Sequence, residues 1–296
     1  MKRKFRVLAA ALAAATVISS VPVFTAEAAV VYKDTPATFL LGDEIINSDY
    51  ALLVDTVTGN VLCRKRANER MYPASMTKVM TILTASDYIS DLTDTVEITQ
   101  DIIDYAKEKD CTRVGFEAGE MPTVKDLLTG TILCSGADAA IALGRYIGGS
   151  DEGFVELMNK KAQQLGLENT HFTNCVGLFD EQHYSTAAEI AAIMQAAVVV
   201  PVCFEALSAK KYTTAQTPEH PEGITIKSLF LERMAGQTMS GLCVCGKTGF
   251  VKQSDYCAVS YYASPSGNPY ICVTGHADTS LLAVSDHAVM YMIFTR

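Results

Sequence analysis

Three short motifs carry the residue types that a serine hydrolase needs. They are Ser75-Met76-Thr77-Lys78, Ser135-Gly136-Ala137 and Lys247-Thr248-Gly249, in that order along the chain. A serine hydroxyl is a weak nucleophile that requires a neighbouring base, and residues three apart on a helix share a face. A second Ser-x-x-Lys, at Ser208 and Lys211, shows that this spacing alone is weak. The inference therefore depends on the ordered set of three.

Ser75 and Lys78 are the candidate nucleophile and base. Ser75 begins a predicted helix, whose N-terminus carries partial positive charge that favours an oxyanion. A lysine acts as a base only when burial or another cation lowers its pKa, and Lys247 is the candidate cation. The backbone N–H groups of Ser75 and Phe250 would form an oxyanion hole. The alternative is an ordinary serine and lysine on a surface helix.

Lys247 and Thr248 are the candidate substrate-binding residues. They lie at the end of a strand predicted over residues 241–247, where a lysine can pair with a substrate carboxylate and Thr248 can donate a hydrogen bond. Gly249 has no side chain, so a peptide backbone can lie along the strand as an added strand. The alternative is an exposed strand end with a solvated lysine.

Ser135 precedes an Ala-rich segment that predicts a helix over residues 137–147. Taken alone, Ser135 and Asp138 are typical of a helix N-cap, which implies no catalysis. Taken with the other two motifs, Ser135 is the candidate proton relay to a leaving amine.

Residues 1–28 are typical of an export signal. Lys2, Arg3 and Lys4 precede an apolar run over residues 7–18 and a small-residue cleavage site at Ala26-Glu27-Ala28. The run is shorter than the about 20 apolar residues of a membrane span. We therefore expect a cleaved signal, then one catalytic domain over residues 29–296. The protein is expected to be exported, and extracellular or associated with the cell wall.

Charge and cysteine content argue against nucleic-acid binding and against a metal site. The net charge of −9 disfavours nucleic acid, which binds basic surfaces. The nine cysteines cannot all pair within one chain, and we interpret them as buried free thiols. Cys243-Val244-Cys245 is a weak candidate metal site because no second pair stands at a zinc-ligand spacing nearby. We expect no metal and no cofactor.

Strand patterns occur at both ends of the chain and helical patterns in its middle. This arrangement predicts an α/β fold in which one antiparallel sheet, built from N-terminal and C-terminal strands, packs against a helical middle region. The predicted strands are residues 51–55, 61–66, 241–247, 255–264 and 269–274, and the predicted helices begin near Ser75 or span 137–147, 154–165, 185–198 and 281–294.

The sequence resembles the low-molecular-mass penicillin-binding proteins, the serine D-alanyl-D-alanine carboxypeptidases. Ser-x-x-Lys with Lys-Thr-Gly is a signature of this superfamily. The likeness covers roughly residues 50–260. It includes the hairpin motif around Thr58-Gly59-Asn60, Pro73-Ala74 before the nucleophile motif, Asn169-Thr170-His171-Phe172-Thr173-Asn174 with Gly177-Leu178, and His183-Tyr184-Ser185-Thr186-Ala187.

This resemblance implies a DD-peptidase/β-lactamase-like fold and a role for each motif. Ser75 would form the acyl-enzyme, Lys78 would be its base, Ser135 the relay, and Lys247 with Thr248 the carboxylate site. The substrate would be the D-Ala-D-Ala end of a peptidoglycan stem peptide, which the enzyme would trim. β-Lactam antibiotics would be acylating inhibitors.

Two positions depart from the family pattern. Ala137 stands where the family usually has an asparagine that holds the lysine and the substrate amide, and Cys175 stands where proline is frequent. Each unmade hydrogen bond could cost about 1–3 kcal/mol. A catalytically weak penicillin-binding or sensing wall protein is therefore the alternative. The chain matches no C-terminal β domain or amphipathic tail, so we expect no strong membrane anchor after signal cleavage.

Three further interpretations compete less strongly. A class A β-lactamase would need a glutamate followed four residues later by asparagine, and no glutamate between Asp138 and Lys247 has one. A transpeptidase would use the same motifs with an amine acceptor. A Ser-His-Asp site is disfavoured because Lys78 already supplies a base. We therefore interpret His171 and His183 as structural, and Asp286-His287 as a polar pair on the surface of the last helix.

Overall fold

Strands from both ends of the chain form one six-stranded sheet. The computed structural model describes residues 30–295, and the predicted export signal, residues 1–28, lies outside the described residues. The strands are β1 (Phe39–Leu40), β2 (Tyr50–Asp55), β3 (Val61–Lys65), β4 (Lys211–Thr213), β5 (Thr225–Lys227), β6 (Leu242–Val251), β7 (Asp255–Ala263) and β8 (Pro269–Ala277).

The main sheet has the order β1-β3-β2-β8-β7-β6, and its neighbours are antiparallel except for the parallel pair β1–β3. N-terminal β2 pairs with C-terminal β8, with Leu53 opposite Cys272. The predicted architecture is therefore confirmed. The separate hairpin of β4 and β5 was not predicted, because three-residue strands are too short to show a periodic pattern.

Helices occupy the middle of the chain and its end. They are α1 (Thr77–Ser86), α2 (Gln100–Glu108), α3 (Val124–Leu133), α4 (Ala137–Gly148), α5 (Asp151–Gln164), α6 (Ala187–Val198), α7 (Pro201–Ser208), α8 (Leu229–Met234) and α9 (Ser280–Phe294). A one-turn 3-10 helix, Ala74–Met76, leads directly into α1.

Alternate residues of β2 point to opposite faces of the sheet, and both faces are buried. Leu52 and Val54 belong to a large apolar cluster with α1, α4 and α6, whereas Ala51 and Leu53 pack in a second cluster with α8 and α9. This alternation is the two-residue period of a strand. The sheet is thereby held rigidly between two layers of helices.

β6 continues past the motif that was predicted to end it. Lys247 pairs with Val259 and Gly249 with Cys257, and the strand runs to Val251. The predicted strand end at residue 247 is wrong because Gly249 of the motif, like Gly246 before it, keeps extended backbone and pairs within the ladder. β6 is the outermost strand on its side of the sheet, next to the 3-10 helix Ala74–Met76.

Asp286 and His287 are buried, so the predicted surface pair is wrong. The Asp286 carboxylate accepts hydrogen bonds from the backbone N–H and hydroxyl of Ser48, and His287 contacts the hydroxyls of Ser260 and Thr274. Burial lowers the pKa of His287 to about 3, so its ring is neutral. Because α9 is apolar on most sides, its sequence does not show which face is exposed, and the polar pair was wrongly assigned to solvent.

The nine cysteines are free thiols, and seven of them are buried. Cys111 and Cys134 are half-buried. Within residues 30–295, no single helix is long and apolar enough to cross a membrane, although α6 and α7, bent by 108° at their junction, pass that test as a pair.

Candidate active site

The candidate nucleophile lies in a turn that is shaped by a neighbouring loop. Ser75 is the middle residue of the 3-10 helix, and Ala74 before it has a φ of +45°. The Asn174 side-chain oxygen accepts hydrogen bonds from the backbone N–H groups of Val176, Gly177 and Leu178. We name residues 174–178 the asparagine loop.

Gly177 lets the asparagine loop pack directly on the nucleophile turn. Its φ is +84°, and a Cβ atom there would lie 1.9 Å from the carbonyl oxygen of Ala74. An L side chain fits neither that backbone conformation nor that space. Gly177 is thus required for the position of Ser75.

Lys78 is in contact with Ser75, as predicted. The Lys78 Nζ donates hydrogen bonds to Ser75 Oγ at 3.1 Å and to the carbonyl oxygen of Val176 at 2.6 Å. The lysine is 2% exposed, and no carboxylate within residues 30–295 forms an ion pair with it. Desolvation lowers its pKa to about 8. Lys78 is therefore able to exchange a proton with Ser75 near neutral pH.

Ser135 lies in the turn between α3 and α4, with a φ of +62°. The N-cap of α4 is Gly136, so Ser135 does not cap that helix. The Lys247 Nζ donates hydrogen bonds to Ser135 Oγ at 3.0 Å and to the carbonyl oxygen of Thr248 at 2.7 Å. The second and third motifs therefore meet through this contact.

The loop of residues 112–115 supports the Ser135 turn. The Thr112 hydroxyl donates a hydrogen bond to the Ser135 carbonyl at 2.9 Å, and the Thr112 backbone carbonyl accepts one from the Ala137 N–H at 2.8 Å. The buried Asp138 carboxylate accepts the backbone N–H groups of Val114 and Gly115 at 2.8 and 3.0 Å. Asp138 is thus structural, and it fixes the loop to the start of α4.

Lys247 is 2% exposed and lies beneath the cleft surface. Burial, reinforced by the positive charge of Lys78, holds its pKa well below the usual range. Because its amine contacts Ser135 Oγ, its nearest functional partner is the candidate relay.

Gly249 brings β6 close to the nucleophile. A Cβ atom at this position would lie 3.0 Å from the backbone nitrogen of Ser75 and 2.6 Å from Cys257 Sγ. A larger residue would push the strand away from Ser75. The absence of a side chain therefore places the Phe250 segment of β6 beside the N–H group of Ser75.

A cleft of about 830 Å³ opens over these residues. Ser75, Lys78, Ser135 and Thr248 line it, together with Arg233 of α8. On one wall Phe250 and Tyr256 stack with ring centroids 4.5 Å apart. The motifs of the sequence therefore converge on one cavity.

Arg233 is a cleft residue that the sequence did not reveal. Its guanidinium donates to the Leu229 carbonyl at 2.8 Å, and it has no ion pair with a carboxylate in the described range 30–295. A single arginine in a short helix carries no local signal, because only the packing of α8 on β6 brings it to the cleft.

Ala137 is 1% exposed and packs in the larger apolar cluster. Lys78 is held instead by a backbone acceptor, the Val176 carbonyl, as described above. The Val176 carbonyl thus provides Lys78 with one hydrogen-bond acceptor, although residue 137 has no side-chain amide.

The two candidate histidines are structural. His183 is buried, its Nδ1 accepts the Thr173 N–H at 3.1 Å, and its Nε2 contacts the Thr77 hydroxyl at 2.8 Å. Burial lowers its pKa to about 4. His171 Nδ1 contacts the Gln182 carbonyl, and neither ring lines the cleft. Within residues 30–295, no group of three or more His, Cys, Asp or Glu is placed to hold a metal ion.

Comparison with known proteins links this geometry to one family. The family model described as D-alanyl-D-alanine carboxypeptidase matches residues 38–279. D-alanyl-D-alanine carboxypeptidase DacF of Bacillus subtilis is 42% identical over 145 residues, which are 48% of this chain and 36% of the relative. The chain thus matches less than half the length of that relative. The D-alanyl-D-alanine carboxypeptidase of Streptomyces sp. K15 is 30% identical over 95% of this chain and 96% of its own length.

Solved structures agree with the sequence matches. The Streptomyces K15 DD-transpeptidase superposes with a TM-score of 0.75 and 27% identity, covering 85% of this chain and 98% of that one. Penicillin-binding protein 5 of Haemophilus influenzae has a TM-score of 0.71 and 28% identity, covering 82% of this chain and 69% of that one.

Proposed function

Because the chain belongs to the D-alanyl-D-alanine carboxypeptidase family, we propose that it hydrolyses the terminal D-Ala-D-Ala bond of peptidoglycan stem peptides. The reaction would pass through an acyl-enzyme on Ser75. The observation that carries this proposal is the 3.1 Å hydrogen bond between Lys78 Nζ and Ser75 Oγ in the wall of an open cleft. The lowered pKa of Lys78 supports its role as the base.

The acylation step follows from these contacts. Neutral Lys78 accepts the Ser75 proton while Ser75 Oγ bonds to the carbonyl carbon of the penultimate D-Ala. The negative charge that develops on the carbonyl oxygen is stabilised by the N–H groups of Ser75 and Phe250. The close approach of Gly249 to Ser75 favours such a pair of donors.

Release of D-Ala requires a proton at its amine. Ser135 Oγ is the relay, and the Lys247 hydrogen bond to that oxygen sets its orientation and supplies a proton route. The C–N bond breaks as the amine is protonated, and the terminal D-Ala leaves. Water then attacks the acyl-enzyme and restores the Ser75 hydroxyl.

Arg233 and Thr248 are placed to hold the terminal carboxylate of the substrate. Both line the cleft, and Arg233 has no carboxylate partner within residues 30–295. Arginine presents paired N–H donors that match a carboxylate. Lys247, which was expected to share this role with Thr248, acts through Ser135 in this proposal.

The remaining features of the proposal concern location and inhibitors. Residues 1–28 would direct export, residues 29–296 would form the catalytic domain, and the protein would act extracellularly or at the cell wall. β-Lactams would acylate Ser75, because their strained amide presents the same carbonyl and carboxylate as the peptide.

Two measurements test the proposal. The mature protein and its Ser75→Ala variant are incubated with a fluorescent penicillin, and intact mass is measured. The same proteins are given a pentapeptide ending in D-Ala-D-Ala, and free D-Ala is assayed. One adduct and D-Ala release, both lost in Ser75→Ala, are expected. An adduct without D-Ala release would instead identify a penicillin-binding or sensing protein.

Transfer to an amine is the second candidate function. The solved Streptomyces structure is of a DD-transpeptidase, and the two folds superpose over 85% of this chain. An amino-acid acceptor added to the peptide assay separates the two reactions, since transfer gives a new peptide of defined mass. Rapid hydrolysis of a chromogenic cephalosporin would identify a β-lactamase.

A further inference from the structure

A second cavity of about 310 Å³ lies next to the catalytic cleft. Gln253, in the turn that follows β6, borders both spaces. Tyr72 of the cavity and Phe179 of the cleft pack edge to face with centroids 4.9 Å apart, which forms a shared wall. A ligand that leaves the cleft past Gln253 therefore enters this cavity.

Hydrogen bonds fix the walls of the cavity. Met71 and Ser185 exchange two backbone hydrogen bonds of 2.8 and 3.0 Å, which join the segment before the nucleophile to the segment after the asparagine loop. On the opposite side His276 contacts the carboxylates of Asp49 at 2.6 Å and Asp255 at 3.2 Å. The space is therefore preformed.

Two unpaired charges of opposite sign line this cavity. The Arg70 guanidinium lies 4.1 Å from the centre of the Tyr184 ring, which holds the cation in place. Across residues 30–295, neither Arg70 nor Glu181 forms an ion pair or a side-chain hydrogen bond. Both charges are available to a ligand that carries one charge of each sign.

The direction of a bound peptide brings it to this cavity. With its carboxylate at Arg233 and its scissile carbonyl at the Phe250 N–H, a peptide added to β6 runs antiparallel to that strand. Its amino side then points toward Gln253. Each residue of an extended chain advances about 3.3 Å. The residue before D-Ala-D-Ala therefore reaches the turn at Gln253.

Building on the proposed function, we propose that this cavity binds the side chain of the residue that precedes D-Ala-D-Ala in the stem peptide. The preferred side chain ends in both a carboxylate and an ammonium group. Arg70 binds its carboxylate, Glu181 binds its ammonium, and the tyrosines pack against its methylene groups.

The test compares two pentapeptides that differ only at that residue, one with meso-diaminopimelate and one with L-lysine. Lysine keeps the ammonium group but lacks the carboxylate. Binding is measured by calorimetry on the Ser75→Ala protein, so the result does not depend on turnover. The same background carries Arg70→Gln, Glu181→Gln or, as a matched control, Arg64→Gln, whose guanidinium pairs with Asp34 outside the cavity.

We expect the diaminopimelate peptide to bind about tenfold more tightly than the lysine peptide. Arg70→Gln removes that preference and leaves the lysine peptide unchanged, Glu181→Gln weakens both peptides, and Arg64→Gln changes neither. Equal affinity for the two peptides in the parent, or an equal effect of Arg70→Gln on both, overturns the subsite. D-Ala release by the protein with intact Ser75 is scored separately. Its failure with the binding preference intact overturns hydrolysis and leaves the subsite.

Discussion

The Lys247 amine donates a hydrogen bond to Ser135 Oγ at 3.0 Å, beneath the surface of the cleft. The sequence predicted that Lys247 binds the substrate carboxylate, whereas this contact gives its amine Ser135 Oγ as a partner. An amine that is buried and hydrogen-bonded to the candidate relay, Ser135, is poorly placed to meet a substrate carboxylate. The half-buried Arg233 and Thr248 lie at the cleft surface and are better placed to do so.

Arg233→Gln should therefore impair recognition of a free C-terminal carboxylate. We expect kcat/KM for a pentapeptide acid to fall about ten- to a hundredfold, the equivalent of one lost charge-assisted hydrogen bond. The corresponding C-terminal amide should be cleaved slowly and equally by both proteins. An equal loss on acid and amide would contradict a carboxylate role, and Arg64→Gln serves as the control for arginine removal.

The rate of penicillin acylation should rise with pH through a midpoint near 8. Lys78 is a base only when neutral, and burial lowers its pKa to about 8. Second-order rate constants for a fluorescent penicillin between about pH 6 and pH 10 test this. Since burial lowers the pKa of His183 to about 4, that ring contributes no step near pH 6.5. A flat profile would contradict Lys78 as base.

Lys78 should also reduce stability at neutral pH. Its pKa is lower in the folded state, so the unfolded chain binds more protons between about pH 8 and pH 10.5, and stability rises with pH across that window. Lys78→Met removes the buried amine. The free energy of unfolding of the variant, measured relative to wild type, should therefore fall by about 3 kcal/mol between pH 7 and pH 10.5. Urea unfolding of both proteins at each pH measures this difference. A constant difference would argue against the lowered pKa.

Gly177→Ala should disrupt the nucleophile turn. The new Cβ would collide with the Ala74 carbonyl at a residue whose φ is +84°. We expect the free energy of unfolding to fall by about 2–4 kcal/mol and penicillin acylation to be largely lost. Gly149→Ala is the matched control, because Gly149 has a φ of +75° but open space around it. Similar effects in both variants would assign the loss to backbone strain alone.

Cys111 should be the first thiol to react with iodoacetamide in the native protein. It is half-buried and lines the cleft beside Lys78, whereas the half-buried Cys134 does not line the cleft and the other seven cysteines are buried. Burial raises its pKa, so the reaction should accelerate as rising pH increases the thiolate fraction. Peptide mass mapping identifies the site. A bound penicillin should slow the reaction, and Cys111→Ser should abolish the first adduct without preventing acylation.

Sequence reasoning found the residues whose roles depend on local spacing. Ser75 and Lys78 are three residues apart, so one helical turn brings them together without help from the rest of the fold. The contact between Ser135 and Lys247 spans 112 positions in sequence. That contact was not predicted, and the two residues could be assigned to one site only because both belong to motifs of a known family.

The residues that the sequence missed depend on tertiary packing. The Val176 carbonyl that holds Lys78 is a backbone atom, which no residue type reveals. Arg233 and Arg70 become informative only because their carboxylate partners are absent across residues 30–295. The error at Asp286-His287 has the same origin, since burial of a polar pair requires partners such as Ser48 and Ser260 from distant segments.

The pairing of β2 with β8 has a consequence for the order of folding. The edge of β2 that pairs with β8 stays unpaired until residues 270–275 are present to bond with residues 50–55. A contact of such long sequence separation slows folding, because the loop must close before the contact stabilises it. While the chain is still being synthesised, the central strand therefore remains open. Such a delay is compatible with the export proposed for this chain, since an exported polypeptide crosses the membrane unfolded.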